Sequence, residues 1–186
     1  MAINIEMLKK LLIEPHNFLS KIEKEKTETT LVLACLNWIL ISIAIGVALE
    51  NFKYSLAALV LGIIFQLIIS FFITVTLKMF GGKGNYKNAL DALTYPYFGL
   101  AFSTIVVSLI SKTIPYVSGI IGLILFMLYF TIGFSGNIKV LKESFKCDLI
   151  TVIVSKAIIA TAFIISIYLA ALFAYPSIFR TLFSFF

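Results

Sequence analysis

Residues 54–77 form an uncharged stretch that reads YSLAALVLGIIFQLIISFFITVTL. A helix crosses a bilayer core of about 30 Å with roughly 20 apolar residues, so this stretch is long enough to span a membrane. Four further runs are apolar enough to do the same, and they lie near residues 31–49, 95–111, 115–134 and 157–175. The sequence therefore predicts an all-α fold, a polytopic membrane bundle of five transmembrane helices.

The composition of the chain supports a membrane environment. Of its 186 residues, 61% are hydrophobic and only 13% are charged, and the mean hydropathy is +1.07. A soluble domain is typically about 45–50% apolar and about 25% charged. The net charge of +6 does not indicate nucleic acid as a partner. The lysines lie beside the apolar runs, where they meet anionic lipid headgroups.

The composition also divides the chain into three parts. These are a cytosolic amphipathic segment at residues 1–29, a membrane domain at 30–176 and a short C-terminal tail at 177–186. In the first part, Leu8, Leu11 and Leu12 fall on one side of a helix that Pro15 ends. This helix is too short to span a bilayer, so it either lies in the membrane interface or packs under the bundle.

The unequal distribution of lysines predicts the orientation of the bundle. Eleven of them lie on one side, in the N-terminal segment and in the second and fourth connections, against three basic residues on the other side. The eleven are Lys9, Lys10, Lys21, Lys24, Lys26, Lys78, Lys83, Lys87, Lys139, Lys142 and Lys146. Basic residues favour the cytoplasmic side. We therefore expect a multi-pass protein of the cell membrane, with the N-terminus in the cytoplasm and the C-terminus outside.

Residue types suited to catalysis and metal binding are scarce in the sequence. His16 is the only histidine, and Cys35 and Cys147 are far apart. No predicted span contains a carboxylate pair, and no serine or cysteine has a histidine to activate it. The sequence therefore predicts no enzymatic activity, no cofactor and no metal site.

A glycine-rich turn, Gly81-Gly82-Lys83-Gly84, follows the second span. A nucleotide-binding loop needs four residues between its glycines and then Lys-Ser/Thr, so the order here does not fit one. Glycines that end a helix and turn the chain explain it better. The other long connection repeats the pattern, since Gly136-Asn137-Ile138-Lys139 matches Gly84-Asn85-Tyr86-Lys87. From these two loops we predict lipid-headgroup or partner contacts at Gly81, Gly82, Lys83 and Lys139.

A second candidate site is a polar stripe inside the membrane. Gln66, Ser70 and Thr74 follow one another at four-residue spacing on the second span. Together with Lys156, these three residues are candidates for lining a polar path. Alternatively, the three stripe residues form hydrogen bonds with neighbouring helices. Lys156 itself either extends to the cytoplasmic interface or carries a functional charge. Its candidate partners are Asp91, Glu143 and Asp148.

The second connection carries a family resemblance. It reads Phe80-Gly81-Gly82-Lys83-Gly84-Asn85-Tyr86, then Leu90, Leu93 and Thr94-Tyr95-Pro96-Tyr97. This glycine turn, short helix and Tyr/Pro entry to the third span resemble the Yip-domain family, named for Ypt/Rab-interacting proteins. The resemblance covers about residues 15–175 and includes Pro15, the five spans and a Ser135-Gly136 turn. It implies a five-span helical bundle with a cytosolic N-terminus.

In eukaryotic members the resemblance also implies small GTPase partners and a role in vesicle traffic. This chain lacks their Asp-Leu-Tyr-Gly signature and has a shorter cytosolic segment, so it looks more like the short bacterial and archaeal members. A small GTPase is therefore not predicted as a partner. We expect a non-enzymatic scaffold or adaptor for membrane lipids, membrane proteins or further copies of itself. The alternative is a small-solute transporter or channel, which the scarcity of intramembrane charge disfavours.

Overall fold

The structure is a computed structural model that describes residues 5–15, 22 and 26–174. Its helices are α1 (Ile5–Ile13), α2 (Thr27–Leu49), α3 (Phe52–Met79), α4 (Tyr86–Thr94), α5 (Phe98–Thr113), α6 (Pro115–Phe145) and α7 (Leu149–Ala174). Across the described ranges five helical segments are long and apolar enough to cross a membrane, with α4 and α5 together forming the third. The predicted all-α bundle of five spans is thereby confirmed.

The short connections meet at one end of the bundle. Glu50 adopts a left-handed backbone conformation with φ of 52° and ends α2, and the Asn51 side chain then caps α3 by accepting from the Lys53 N–H. Glu50 also forms an ion pair with Lys112, close to the turn between α5 and α6. Lys112 holds the pKa of the Glu50 carboxyl below its ordinary value. Both tight turns therefore lie side by side.

Helix α4 lies in the interior of the bundle. It packs against α2, α3 and α6, while α5 continues between α2 and α6. Ala89, Leu90 and Ala92 are fully buried. The core around them joins Leu77 and Leu141 from the neighbouring helices. The third span is thus surrounded by protein over its first half.

Helix α6 differs from the prediction. A turn at Ser135-Gly136 was expected, and this is wrong because the helix continues without interruption to Phe145. Its 31 residues extend to about 46 Å at about 1.5 Å per residue, which exceeds a bilayer core of about 30 Å. Helix α7 begins at Leu149, so Lys156 lies within a helix rather than ahead of one. The lysines between 139 and 146 therefore belong to a helix end, not to a loop.

The described part of the N-terminal segment packs against the bundle. Helix α1 contacts α5, and its Leu11 is buried, with Leu8 and Leu12 packed against the same core. Ile22 is also buried. Of the two placements predicted for this segment, the membrane interface or packing under the bundle, α1 adopts the second. The remaining predicted amphipathic residues at 16–21 and 23–25, and the tail at 177–186, lie outside the described residues.

A polar cluster at the break in the third span

The third span is broken at Tyr95-Pro96-Tyr97. In a continuous helix the Ala92 carbonyl accepts from the N–H of residue 96, and proline has none. The Phe98 N–H, which a continuous helix directs to Thr94, bonds instead to the Tyr95 carbonyl. The break therefore leaves backbone carbonyls without their helical donors in the interior of the bundle, where other protein groups can supply them.

Three amide side chains from three different helices supply these donors. Asn137 Nδ2 of α6 lies 2.7 Å from the Ala92 carbonyl oxygen. Asn37 Nδ2 of α2 lies 2.9 Å from the Thr94 carbonyl oxygen. Gln66 Nε2 of α3 lies 2.9 Å from Thr94 Oγ1 and 3.4 Å from the Leu93 carbonyl oxygen. All three amides are buried, so the break is held by every helix that surrounds it.

Gln66 connects three helices through both ends of its amide. Its Oε1 accepts from Trp38 Nε1 of α2 at 2.6 Å, while its Nε2 donates to Thr94 of α4. The other members of the predicted stripe bond to their own helix. Ser70 Oγ donates to the Gln66 carbonyl and Thr74 Oγ1 donates to the Ser70 carbonyl, both at 2.8 Å. The stripe is thus buried, and each of its polar groups has a protein partner.

One turn before the break, a buried carboxylate is paired with a lysine. Asp91 is 1% exposed and accepts from Lys87 Nζ at 2.7 Å and from Thr30 Oγ1 at 2.6 Å. The Tyr95 hydroxyl lies 3.4 Å from the same threonine oxygen. An ionisable pair inside a membrane bundle is costly unless both charges are satisfied, and here hydrogen bonds supplement the ion pair.

The contact described for Lys156 is with an aromatic ring, whereas its candidate partners are carboxylates. Its Nζ lies 4.7 Å from the centroid of the Phe134 ring, a cation–π geometry between α7 and α6. Asp91 is paired with Lys87 instead. Asp148 accepts from Thr151 at the start of α7, and these hydrogen bonds hold the pKa of the Asp148 carboxyl below its ordinary value.

The glycine-rich turn is fixed against the end of α6. Gly81 has φ of 85°, a conformation that suits glycine, and the Gly82 N–H bonds to the Leu77 carbonyl at 2.9 Å. The Lys83 N–H donates to the Phe145 carbonyl at 2.8 Å. A Cβ on Gly84 would lie 2.6 Å from the Phe145 ring, so only glycine fits there.

This hydrogen bond brings the backbone of Lys83 next to Phe145, the residue before Lys146, and the side chains of Lys83 and Lys146 are both exposed. Lys139 lies half-buried along α6, two turns before the helix ends. The matching asparagines of the predicted repeat have different roles. Asn85 caps α4 in a reciprocal pair with Asn88, whereas Asn137 lies inside α6.

The fold defines a multi-pass helical membrane protein with a buried polar cluster at a broken span. Searches against protein-family models, curated proteins and solved structures found no match to this chain.

Two parts of the cluster were not predicted from the sequence. The Lys87–Asp91 pair has the i, i+4 spacing of helical ion pairs, which is a readable signal. The sequence predicts a role for Asn137 only as part of a repeat. A proline inside one apolar run, together with an amide within two other runs and one just after a third, is the pattern that points to it.

Proposed function

We propose that this chain is a non-enzymatic scaffold or adaptor of the cell membrane, of the Yip type, which binds anionic lipid headgroups at one end of its bundle. The docked glycine turn supports the proposal, because the Lys83 N–H bonds to the carbonyl of Phe145, the residue before Lys146, and Gly84 packs against the Phe145 ring. Lys142 lies one helical turn before Lys146 and is exposed. Each lysine near an anionic membrane surface contributes about 1 kcal/mol of attraction. A fixed group of lysines suits a phosphate-bearing headgroup.

Lipid binding by the two lysines is testable with purified protein in nanodiscs. We expect Lys83→Gln combined with Lys146→Gln to weaken retention of phosphatidylglycerol about thirtyfold, since about 1 kcal/mol is lost per lysine. The matched control is Lys53→Gln, an exposed lysine at the opposite end, which should retain the lipid as the unmodified chain does. Equal retention by the double variant and the control would count against the proposal.

The proposed orientation has its own test. In a Cys35→Ala, Cys147→Ala background, a Cys placed at Lys83 should be shielded from a membrane-impermeant thiol reagent in intact cells. A Cys placed at Lys53 should be labelled. Labelling at position 83 from outside would reverse the assignment and place the basic end in the outer leaflet.

The alternative function is transport of a small solute. The observation that favours it is the break itself, which lies level with Asn37 near the middle of α2, because transporters place binding sites at discontinuous helices near the midplane. Proteoliposomes containing the Gln66→Leu variant separate the two functions. A loss of solute flux in protein that still folds supports transport, whereas headgroup binding depends only on the basic end.

A further inference from the structure

Lys156 is a half-buried cation within the fifth candidate span, Leu149–Tyr168. No carboxylate in the described part of the chain forms an ion pair with it, and its ammonium lies 4.7 Å from the centroid of the Phe134 ring. Asp91 is paired with Lys87, and Glu143 lies nine residues beyond Phe134 on α6, which is about 13 Å along the helix. A charge inside a membrane span is costly unless a counter-charge accompanies it. The structure therefore holds a positive charge here that a bound anion would neutralise.

The ammonium of Lys156 lies deeper than the lysines at the basic end of the bundle, such as Lys142 and Lys146. Phe134 precedes Lys139 on α6 by five residues, about 8 Å along the helix and away from that end. Lys156 itself is seven residues into α7, about 10 Å from its start. Lysines in spans ordinarily extend to the aqueous interface, whereas this ammonium rests on an aromatic ring. An anion that meets it must enter the region of the acyl chains.

An exposed aromatic row leads away from the ammonium along α6. The rings of Phe134, Phe130 and Phe126 stack with centroid distances of 6.2 and 5.4 Å and interplanar angles of 17° and 18°. Each of the three side chains is more than 40% exposed. The row covers eight residues of helix, about 12 Å. It therefore forms a continuous apolar surface that begins at the cation and faces lipid.

Helix α7 supplies a second row beside the aromatic one. Ala160 and Ile164 follow Lys156 at four-residue spacing, so they share its side of the helix, and both are exposed. Helices α6 and α7 are consecutive, run in opposite directions and pack together. Both rows thus begin where Lys156 meets Phe134 and continue away from the basic end. The small side chain of Ala160 leaves space for a chain beside the rings.

We propose that the surface between these two rows binds a long-chain fatty acid, whose carboxylate pairs with Lys156 and whose chain lies along the aromatic row. The cation without a counter-charge selects an anion. Its depth selects a carboxylate, because that is the only polar group of a fatty acid, whereas a phospholipid phosphate would draw its glycerol and headgroup out of water. The single aromatic row suits one chain. This site goes beyond the proposed headgroup binding and does not depend on it.

A photoreactive fatty acid tests the site on the full chain in phosphatidylcholine nanodiscs. The comparison probe is the photoreactive fatty alcohol of the same length, which has the same chain and no charge. The buffer is mildly alkaline, so that the carboxylic acid is ionised. We expect the acid to reach saturable labelling at a concentration about tenfold below that of the alcohol, since a charge-assisted hydrogen bond adds to the apolar contact that both probes share.

Two pairs of variants assign the preference for the acid. Lys156→Gln should abolish it, whereas Lys156→Arg should keep it because the positive charge remains. Lys139→Gln is the matched control for loss of a half-buried lysine and should also keep it. Ala160→Phe fills the space beside the aromatic row and should remove the saturable labelling. Ala57→Phe, at an exposed alanine of α3, should leave the labelling unchanged.

Equal labelling by the two probes would overturn the proposal, and so would a preference for the acid that survives Lys156→Gln. Displacement of the acid by an equal concentration of phosphatidylglycerol would also overturn it and assign Lys156 to a phospholipid. The Lys83→Gln, Lys146→Gln double variant should keep the labelling by the fatty acid, and Lys156→Gln should keep the retention of phosphatidylglycerol. The failure of one proposal is therefore distinguishable from the failure of the other.

Discussion

The third and fourth spans are nearly equal in length, at 28 and 30 residues, but differ in what surrounds them. In the most apolar window of each, 44% of the third span is buried inside the bundle against 11% of the fourth. The third is broken and carries a buried ion pair, whereas the fourth is continuous and places Phe126, Phe130 and Phe134 in a stacked, exposed row. A bilayer supplies no hydrogen bonds. The broken backbone and the buried ion pair therefore lie in the span that protein covers.

The largest effect should come from the buried carboxylate of the third span. Asp91→Ala leaves Lys87 without its counter-charge and removes the shortest hydrogen bond of the Thr30 hydroxyl, which keeps only a 3.4 Å bond to the Lys26 carbonyl and a 3.4 Å contact with the Tyr95 hydroxyl. Removing one partner of a buried pair costs about 3–5 kcal/mol. Because the Lys87 side chain is 20% exposed, we expect the lower end of this range. Denaturant unfolding in detergent measures the change. The control is Asp148→Ala at the exposed start of α7, which should have little effect. Similar losses in both variants would remove the distinction between covered and uncovered positions.

A smaller loss is expected from the amide that joins three helices. Gln66→Leu leaves the Trp38 indole N–H without its acceptor and removes the donor to Thr94 Oγ1, although the Thr94 hydroxyl still donates to the Leu90 carbonyl. An unsatisfied buried group costs about 1–3 kcal/mol. We expect the free energy of unfolding to fall by about 2–3 kcal/mol. Thr131→Val on the fourth span removes an exposed hydroxyl that bonds only to its own helix, and it should be nearly neutral. If Gln66→Leu leaves the free energy of unfolding unchanged, the cluster does not stabilise the break.

The link between the break and its donor can be isolated in a double-mutant cycle. Pro96→Ala provides a backbone N–H that can reach the Ala92 carbonyl, so Asn137→Leu should cost about 1 kcal/mol less in that background than in the unmodified chain. Unfolding free energies of the two single variants and the double variant give the coupling. Pairing Pro96→Ala with Thr131→Val should be additive. Additivity in the cycle of Pro96→Ala and Asn137→Leu as well would mean that Asn137 does not stabilise the chain through the Ala92 carbonyl.

The smallest effect concerns the exposed carboxylate outside the spans. Hydrogen bonds from Thr151 lower the pKa of Asp148 from its ordinary value of 3.8, so their stabilising contribution is present above that value and is lost as the pH falls through the folded-state pKa. Thr151→Ala removes the hydroxyl and should raise the pKa of Asp148 towards 3.8. NMR titration of the carboxyl carbon measures it. An unchanged pKa would assign the shift to other groups.

The spans and the glycine turn could be predicted from sequence because their signals are local. A run such as 54–77 is uncharged and mostly apolar, and Gly81 follows the end of a helix, as the glycine-rich composition of the turn predicts. The prediction of a turn at Ser135-Gly136 was wrong because glycine inside a membrane helix also allows close packing of helices. Gly136 is buried, and a Cβ on Gly133 would lie 2.8 Å from the Tyr97 ring. These glycines bring helices together instead of ending one.

The polar cluster was only partly predictable, for a different reason. Proline position is local, so the break at Pro96 could be anticipated. Which amides reach it depends on helix rotation, and the apolar pattern of a membrane helix constrains rotation weakly. The sequence predicts one stripe of Gln66, Ser70 and Thr74, yet Gln66 bonds across helices while the two hydroxyls bond within their own helix.

The donor to Ala92 has a consequence for biogenesis. Asn137 is synthesised 45 residues after Ala92, so the third span enters the membrane before its last donor exists. That span also has the lowest hydropathy of the five, at 1.6. A nascent chain that ends at Thr113 presents a proline-broken segment with an open carbonyl to the insertion machinery. The third and fourth spans are therefore expected to leave the translocon as a pair rather than one at a time.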